Sequence, residues 1–371
     1  MECPMRNRLL LRMSLFFDLY VNDDIRREES MAEKKKYSTI KDVAELAQTS
    51  TASVSSVLNP NSTRYISNEL RERVLKAAKE LNYYKSSVAS SLKGMQMRTI
   101  ALLLPQFQNP FFLRIAASIE RWAYTHDFTI YICNSLDQPD REKKIIERAL
   151  SQRVDGVIIS PTSHGAENTQ ILRDLHIPYV VVDRPLDGVP SYSYATFDNF
   201  QLGALACQHL IDRGHRKLGF LEWTSPVESI QLRRFAVEQI ARENRADLVV
   251  EYSAEIDRQA GYQAMERLMN KADGMTGLIF GQHMLAEGAY EYLRDRRLNI
   301  PEDISVVMLG TPDWALLHNP RFTCVKQPEQ ELGLAAADML LEQIEKTAGG
   351  RTERKACFNC TLLPGESVKT L

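Results

Sequence analysis

Thr39-Ile-Lys-Asp-Val-Ala-Glu-Leu-Ala-Gln-Thr-Ser-Thr-Ala-Ser-Val-Ser-Ser-Val-Leu-Asn59 reads as two short amphipathic helices around a tight break. Ile40, Val43, Ala44 and Ala47 fall at i, i+3, i+4 and i+7, one stripe of a helix, and Thr39 stands before them as a capping hydroxyl. Val54, Val57 and Leu58 repeat the spacing. Gln48, Thr49 and Ser50 between them are small or polar residues that suit a corner. The second helix would then expose Thr51, Ala52, Ser53, Ser55 and Ser56, whose small side chains let it sit deep in a major groove. The pattern predicts a DNA-binding helix-turn-helix.

Charge supports this reading. The chain has 371 residues and a formal net charge of −2. From Lys34 to Arg98 there are twelve Lys and Arg against five Asp and Glu, so this segment carries +7 and the rest −9. A basic head on an acidic body is suited to neutralising phosphates, because counterion release supplies most sequence-independent DNA affinity. The six cysteines are scattered, and most lie in apolar or strand-like contexts, as free cysteines of a reducing cytosol do. Cys357-Phe-Asn-Cys360 has knuckle spacing without a second pair near it, so neither a metal nor another cofactor is expected. In residues 1–30, Arg12 interrupts the apolar run and no small-x-small cleavage site follows, which argues against a secretion signal. The stretch is also too short to span a bilayer. Residues 1–30 are expected to be an extension or a misassigned start, with Met31 as the true first residue, and the protein is expected to be cytoplasmic with no membrane partner.

Beyond the helix pair, Val74, Ala77, Ala78 and Leu81 form the apolar stripe of a third helix, with Arg71, Arg73, Lys76 and Lys79 facing away. Residues 37–83 make a compact headpiece. Residues 84–97 follow as a short helix and linker that would be marginal alone in water. From Thr99 onward, short aliphatic runs at Ile100 to Leu104, Thr129 to Cys133, Val154 to Ser160 and Tyr179 to Val182 alternate with helical stretches. The theme restarts at Lys217 to Glu222 and continues through Asp247 to Tyr252, Gly277 to Phe280 and Ile304 to Leu309, closing with one strand at Cys357 to Leu363. Two α/β lobes of parallel strands are expected, residues 98–196 with 327–356 and residues 197–326 with 357–371. Crossings fall near Thr196-Phe-Asp198, Cys324-Val-Lys326 and the last strand. Ligands of such sheets bind outside the carboxyl ends of the strands, here between the lobes.

From about Thr39 to about Leu363 the chain resembles bacterial transcription regulators of the LacI/GalR family. The resemblance rests on Thr39-Ile-Lys-Asp-Val-Ala, Ala52-Ser-Val-Ser with Val57-Leu-Asn59, Glu80-Leu-Asn-Tyr83, Asn109-Pro-Phe-Phe112, Val154-Asp-Gly-Val-Ile158, Ile177-Pro-Tyr-Val-Val-Val-Asp-Arg184, Gly214-His-Arg216, Pro301-Glu-Asp-Ile-Ser-Val306 and Gln327-Pro with Glu331-Leu-Gly333. Nine pieces in the family's order are far more specific than one motif. The resemblance implies an α/β fold: a helix-turn-helix headpiece and hinge helix, then a two-lobed body like that of periplasmic binding proteins. It also implies a homodimer on a roughly palindromic double-stranded operator, controlled by a small sugar or sugar phosphate between the lobes. DNA contacts are then expected from Thr39, Ser50, Thr51, Ala52, Ser55, Ser56, Asn59 and Tyr83, with Ala89 and Leu92 as a minor-groove wedge and Lys93 following it.

Several positions depart from the family pattern. Ser56 stands where many relatives have an arginine able to fork to guanine, and Lys85-Ser86 replaces a common Pro-Asn. For the effector, the resemblance points to Phe111, Phe112, Ser160 and Asp183 on the first lobe. On the second, Gln231 stands where an arginine commonly grips the ligand, with Arg233 close by, and Ile256 replaces an aromatic ring on which sugars often stack. Met308-Leu309-Gly310-Thr311 replaces a Gly-Phe-Asp-Asp turn, leaving Asp313 as the compensating carboxylate. So many missing partners for hydroxyls argue against an unmodified hexose. Asp137-Gln-Pro-Asp140 and the Leu309-Gly310-Thr311 turn resemble the fructose- and sucrose-responsive subgroup, whose ligands include sugar phosphates.

Plainer readings stand beside these. Phe111 and Phe112 suit a core, Asp183-Arg184 a surface ion pair, Trp223 and Trp314 structural positions, and His209, His215 and His283 helix surfaces or caps. Of the competing functions, a periplasmic-type sugar-binding protein without a transcriptional role would need an export signal and would lack the headpiece. A nicotinamide-dependent enzyme would need a glycine-rich turn after the first strand, where Leu104-Pro105-Gln-Phe-Gln-Asn-Pro110 stands instead. No catalytic triad or supported carboxylate pair is legible, so the chain is not expected to be an enzyme.

Overall fold

The computed structural model describes residues 38–59, 62, 64–84, 97–346, 350 and 352–371. They form two compact units, divided between Met95 and Gln96.

The first unit holds α1 (Ile40–Leu46), α2 (Thr51–Val57) and α3 (Asn68–Glu80). Each helix begins on a hydroxyl cap. Thr39 Oγ1 accepts from the Asp42 N–H while Asp42 Oδ2 accepts from the Thr39 N–H, a reciprocal capping box. Ser50 caps α2 and Ser67 caps α3 in the same N3 geometry. Val43, Ala44, Ala47, Val54, Val57, Val74, Ala77 and Ala78 close into a small core, as the stripes in the sequence require.

The second unit contains two six-stranded sheets. The first is built from β1 (Thr99–Leu104), β2 (Thr129–Asn134), β3 (Gly156–Ile159), β4 (Tyr179–Val182), β5 (Ser193–Phe197) and β11 (Lys355–Phe358), in the order β11-β5-β4-β3-β1-β2, all parallel. The second comprises β6 (Lys217–Trp223), β7 (Asp247–Ser253), β8 (Gly277–Phe280), β9 (Ser305–Leu309), β10 (Thr323–Lys326) and β12 (Thr361–Leu363), in the order β12-β10-β9-β8-β6-β7. Among the described residues only β10 and β12 pair antiparallel. Central strands such as β1, β3, β4, β8 and β9 are buried along their whole length, so they read as continuous aliphatic runs rather than alternating ones.

The closing segment departs from expectation. It is not one strand at Cys357 to Leu363 but two, with Cys357 and Phe358 paired to β5 in the first sheet and Thr361 to Leu363 paired to β10 in the second. The chain therefore changes sheet between Phe358 and Thr361. The other crossings lead from β5 into α8 (Asn199–Asp212) and from β10 into α13 (Glu329–Glu345). Among the described residues no helix is long and apolar enough to cross a membrane.

Candidate functional site

In the headpiece, Thr51 and Ala52 are exposed at the start of α2, and Ser55 and Ser56 are half-buried one turn later. The Ser56 hydroxyl donates back to the Ala52 carbonyl at 3.0 Å, so it is oriented along the helix. Thr39 and Ser50 spend their side-chain oxygens on helix caps. Tyr83 packs against the headpiece core, and Asn59 lies just past the end of α2. The exposed side of α2 is thus a surface of methyl and hydroxyl groups without a long or charged side chain. Ala89, Leu92 and Lys93, as well as Lys85 and Ser86, lie outside the described residues.

In the body, a cleft opens at the carboxyl ends of both sheets. Phe111 and Phe112, in the first turn of α4 (Pro110–Thr125), form one wall. Asn109 caps that helix through Oδ1, which fixes where the two rings enter. The rings meet edge to face at 5.0 Å between centroids and belong to the core cluster while also lining the cleft, so the core and pocket readings both hold. Opposite them stand Trp223, Ile230, Arg233 and Ile256 of the second lobe.

Asp183 sits on the cleft floor at the end of β4. It is 3% exposed, its Oδ1 has no partner, and its backbone is left-handed, φ +70°. That conformation is uncommon outside glycine and is held by its neighbours: the Asp183 N–H donates to Ala195 O, while Tyr194 Oη and Thr196 Oγ1 both donate to Asp183 O. Burial raises its carboxyl pKa, opposed by the Arg233 and Arg184 guanidiniums. Arg184 is no surface ion-pair partner. It is buried and donates to Asp137 Oδ1 at 2.6 Å, with Asp183 Oδ2 at 4.0 Å. Arg233 is aimed by an Nε donation to Asn199 Oδ1 at 2.8 Å and lies over the Phe197 ring.

Arg114, on α4 of the first lobe, reaches across to the second. It donates to Thr311 O at 2.8 Å and to Thr311 Oγ1, pairs with Asp313 at 2.7 Å and contacts Glu329 at 3.3 Å. Asp313 is therefore the outer partner of Arg114, its side chain 82% exposed, and does not line the cleft. Ser160 is buried beyond the lining with its Oγ unpartnered, and Gln231 faces a second cavity on the second lobe. Of the eight effector residues expected, Phe111, Phe112, Asp183, Arg233 and Ile256 are brought together.

The sequence reading missed two groups. His283 begins α11 (His283–Asp295) and lies buried in the cleft rather than on a helix surface, with Nε2 unpartnered; burial holds its pKa down to about 4, so it is neutral near pH 7. His209 and His215 are buried too, because α8 packs both faces and the C-terminal segment covers His215, whose ring contacts Lys369 O. Glu222 is the other missed group. It is 2% exposed near the end of β6, Oε1 accepts from the Trp223 N–H at 2.8 Å, and Oε2 has no partner. Burial pushes its pKa up to about 7 despite Arg233 and Arg234. A Cβ on Gly281, which lines the cleft, would come within 2.8 Å of both carboxylate oxygens, so glycine is what lets Glu222 lie there. Its signal was legible: an acid closing an apolar strand must find a donor or change its proton affinity.

Residues 39–86 match the family described as bacterial regulatory proteins, lacI family, and residues 97–362 match periplasmic binding proteins and sugar binding domain of LacI family. The chain is 34% identical over 317 residues to the HTH-type transcriptional repressor PurR of Edwardsiella ictaluri, covering 82% of this chain and 90% of that protein. It is 32% identical over 313 residues to the ribose operon repressor of Escherichia coli K12, covering 82% and 93%. In fold it is similar to the lac repressor dimer bound to operator and the anti-inducer ONPF, with a TM-score of 0.78, 23% identity, and coverage of 90% of this chain and all of that one.

Proposed function

The chain belongs to the LacI family of bacterial regulatory proteins, and on that premise we propose that it is a transcriptional repressor whose operator affinity is set by an uncharged, hydroxyl-rich sugar closed between its lobes. The observation that carries the choice of ligand is Asp183, a buried acid that lines the cleft and whose Oδ1 has no hydrogen-bond partner. A sugar hydroxyl can donate to it, whereas a phosphate would bring a second anion to the same floor. Of the arginines beside it, Arg184 is engaged by Asp137 and Arg114 by Asp313 and Glu329, while Arg233, held through Nε by Asn199, is the one left to meet a ligand. Glu222, which lies against Gly281 of the cleft lining, is a further buried acid that the sequence analysis did not count.

In the working cycle, Phe111 and Phe112 offer apolar ring faces, Asp183 accepts from hydroxyls, and Arg233 donates from the second lobe. A ligand that touches both lobes favours the closed state by its differential affinity for it, and that difference is what reaches the DNA. Thr51, Ala52, Ser55 and Ser56 would read base edges through methyl and hydroxyl groups, with thymine methyls the natural partners of the first two. The cleft groups serve to recognise a ligand rather than to transform one, and the protein works as a dimer in the cytoplasm, where its operator lies.

The test is calorimetry of the full chain with ribose, glucose and fructose, beside genome-wide footprinting. At least one sugar should bind, and Asp183→Asn should weaken it at least tenfold without unfolding, because asparagine tolerates the left-handed backbone. Undiminished binding to Asp183→Asn would overturn the assignment of the cleft floor.

A further inference from the structure

We propose that the cleft closes with uptake of a proton, held by two buried acids on opposite lobes, Asp183 and Glu222, that depend on one cation, Arg233, so that the lobe angle responds to pH near neutrality. The three groups converge from different elements. Asp183 follows β4 on the first lobe and is 3% exposed, and Glu222 stands near the end of β6 on the second and is 2% exposed. Each keeps one carboxyl oxygen without a hydrogen-bond partner, Asp183 Oδ1 and Glu222 Oε2. Arg233 lies on the second turn of α9 (Glu228–Glu243), and its charge lowers the proton affinity of both acids. Among the described residues it has no ion pair of its own, since its Nε donates to the neutral Asn199 Oδ1.

The other charges nearby cancel in pairs. Beside Asp183, Arg184 is held by Asp137 at 2.6 Å, and beside Glu222, Arg234 is held by Glu238 at 3.7 Å. The remaining titratable neighbours are two phenols, Tyr194 on β5 and Tyr252 on β7, and His283, which burial keeps neutral at this pH. What is left is two acids and one cation. With both acids ionised the closed cleft carries an uncompensated negative charge, whereas one added proton makes it neutral. The cleft encloses about 70 Å³, room for only a few waters to screen that charge. Opening carries Asp183 away from Arg233, because Asn199 ties Arg233 to its own lobe, and it readmits water to the cleft. The open form therefore holds the proton less tightly than the closed one, in which burial pushes Glu222 up to about 7. Closure is then strongest in acid, weakens as pH rises from the open form's value to about 7, and is constant above that. The charge is also felt at the moving wall, since the Glu222 carboxyl packs against Gly281 and precedes Trp223, both of the cleft lining.

The experiment is small-angle scattering of the unliganded full chain at about pH 5 and about pH 8, on either side of the window, with tryptophan emission recorded alongside. Trp223 reports on the cleft because it lines it and its N–H donates to Glu222. In the wild type the radius of gyration should be larger at the higher pH, and the emission should shift between the two. Glu222→Gln and Asp183→Asn each leave Arg233 with a single acid, so both should hold the smaller radius at both pH values. A wild-type radius that does not change with pH, or one that changes equally in the two variants, would overturn the proposal. A shift in emission at constant radius would overturn it too, by showing that Glu222 titrates without moving the lobes. No sugar takes part in these measurements, so their failure leaves the proposed effector standing, and failure of sugars to bind leaves the proton switch standing.

Discussion

At the scale of single residues, the body is organised around carboxylates that have been taken from water. Glu222 has a folded pKa of about 7, above its ordinary value of 4.5, because burial outweighs Trp223, Arg233 and Arg234. An acid with a raised folded pKa keeps its proton in the native state after the unfolded chain has lost it. Stability therefore falls as pH rises from about 4.5 to about 7, and the penalty is constant above that. Glu222→Gln keeps an acceptor for the Trp223 N–H and removes the charge. It should leave stability at pH 4 nearly unchanged and raise it at pH 8 by on the order of 3 kcal/mol, the size of a shift of that extent. Denaturant melts at the two pH values would show this, and an equal effect at both would mean that Glu222 is not the titrating group. These residues also mark where the sequence was legible. Phe111, Phe112, Asp183, Arg233 and Ile256, singled out from the sequence, line the cleft together. Ser160, Gln231 and Asp313 lie off the cleft lining, and Gln231 and Arg233, two apart on one helix, line different cavities, a distinction the sequence does not display.

At the scale of elements, the site depends on how closely helices cross. Gly203 on α8 lies against α9 so tightly that a Cβ there would sit 2.2 Å from the Arg233 carbonyl oxygen. That contact sets the depth at which Arg233 enters the cleft. Gly203→Ala must push the helices apart, since the clash is with backbone and not with a movable side-chain end. The expected result is a loss of several kcal/mol of stability, in the range of overpacked cores, together with at least tenfold weaker sugar binding in the fraction that folds. A variant that melts lower yet binds normally would show that the crossing holds the lobe but not the arginine. Such crossings are invisible to periodicity, which reports that a helix has an apolar face but not how near its neighbour comes. The alternation of strands and helices was legible for the same reason that its exceptions were not. Long buried runs declare themselves, whereas β5, β10 and the split closing strands are short and sit at crossings where local pattern gives way to tertiary pairing.

At the scale of the whole body, the lobes are held in their present arrangement by contacts that a ligand can supplement. Arg114 bridges the two lobes at the cleft rim through Thr311 and Asp313. Its pair with the exposed Asp313 contributes little in water, so its weight lies in the donation to Thr311 O and the approach to the buried Glu329. Arg114→Ala should leave the melting of each sheet close to wild type but enlarge the radius of gyration of the unliganded body in solution scattering. It should also weaken effector binding several-fold, because closure must then be driven by the ligand alone. An unchanged radius would mean that packing rather than this bridge sets the angle. The chain passes from one sheet to the other beyond β5, beyond β10 and between β11 and β12. Three straps sewn along one edge allow two boards to fold like the covers of a book, but they resist sliding and wringing. Whatever the cleft accepts is thereby reduced to a single dial, the degree to which the covers stand open, and molecules of quite different shape can give the same instruction if they stop the dial at the same mark.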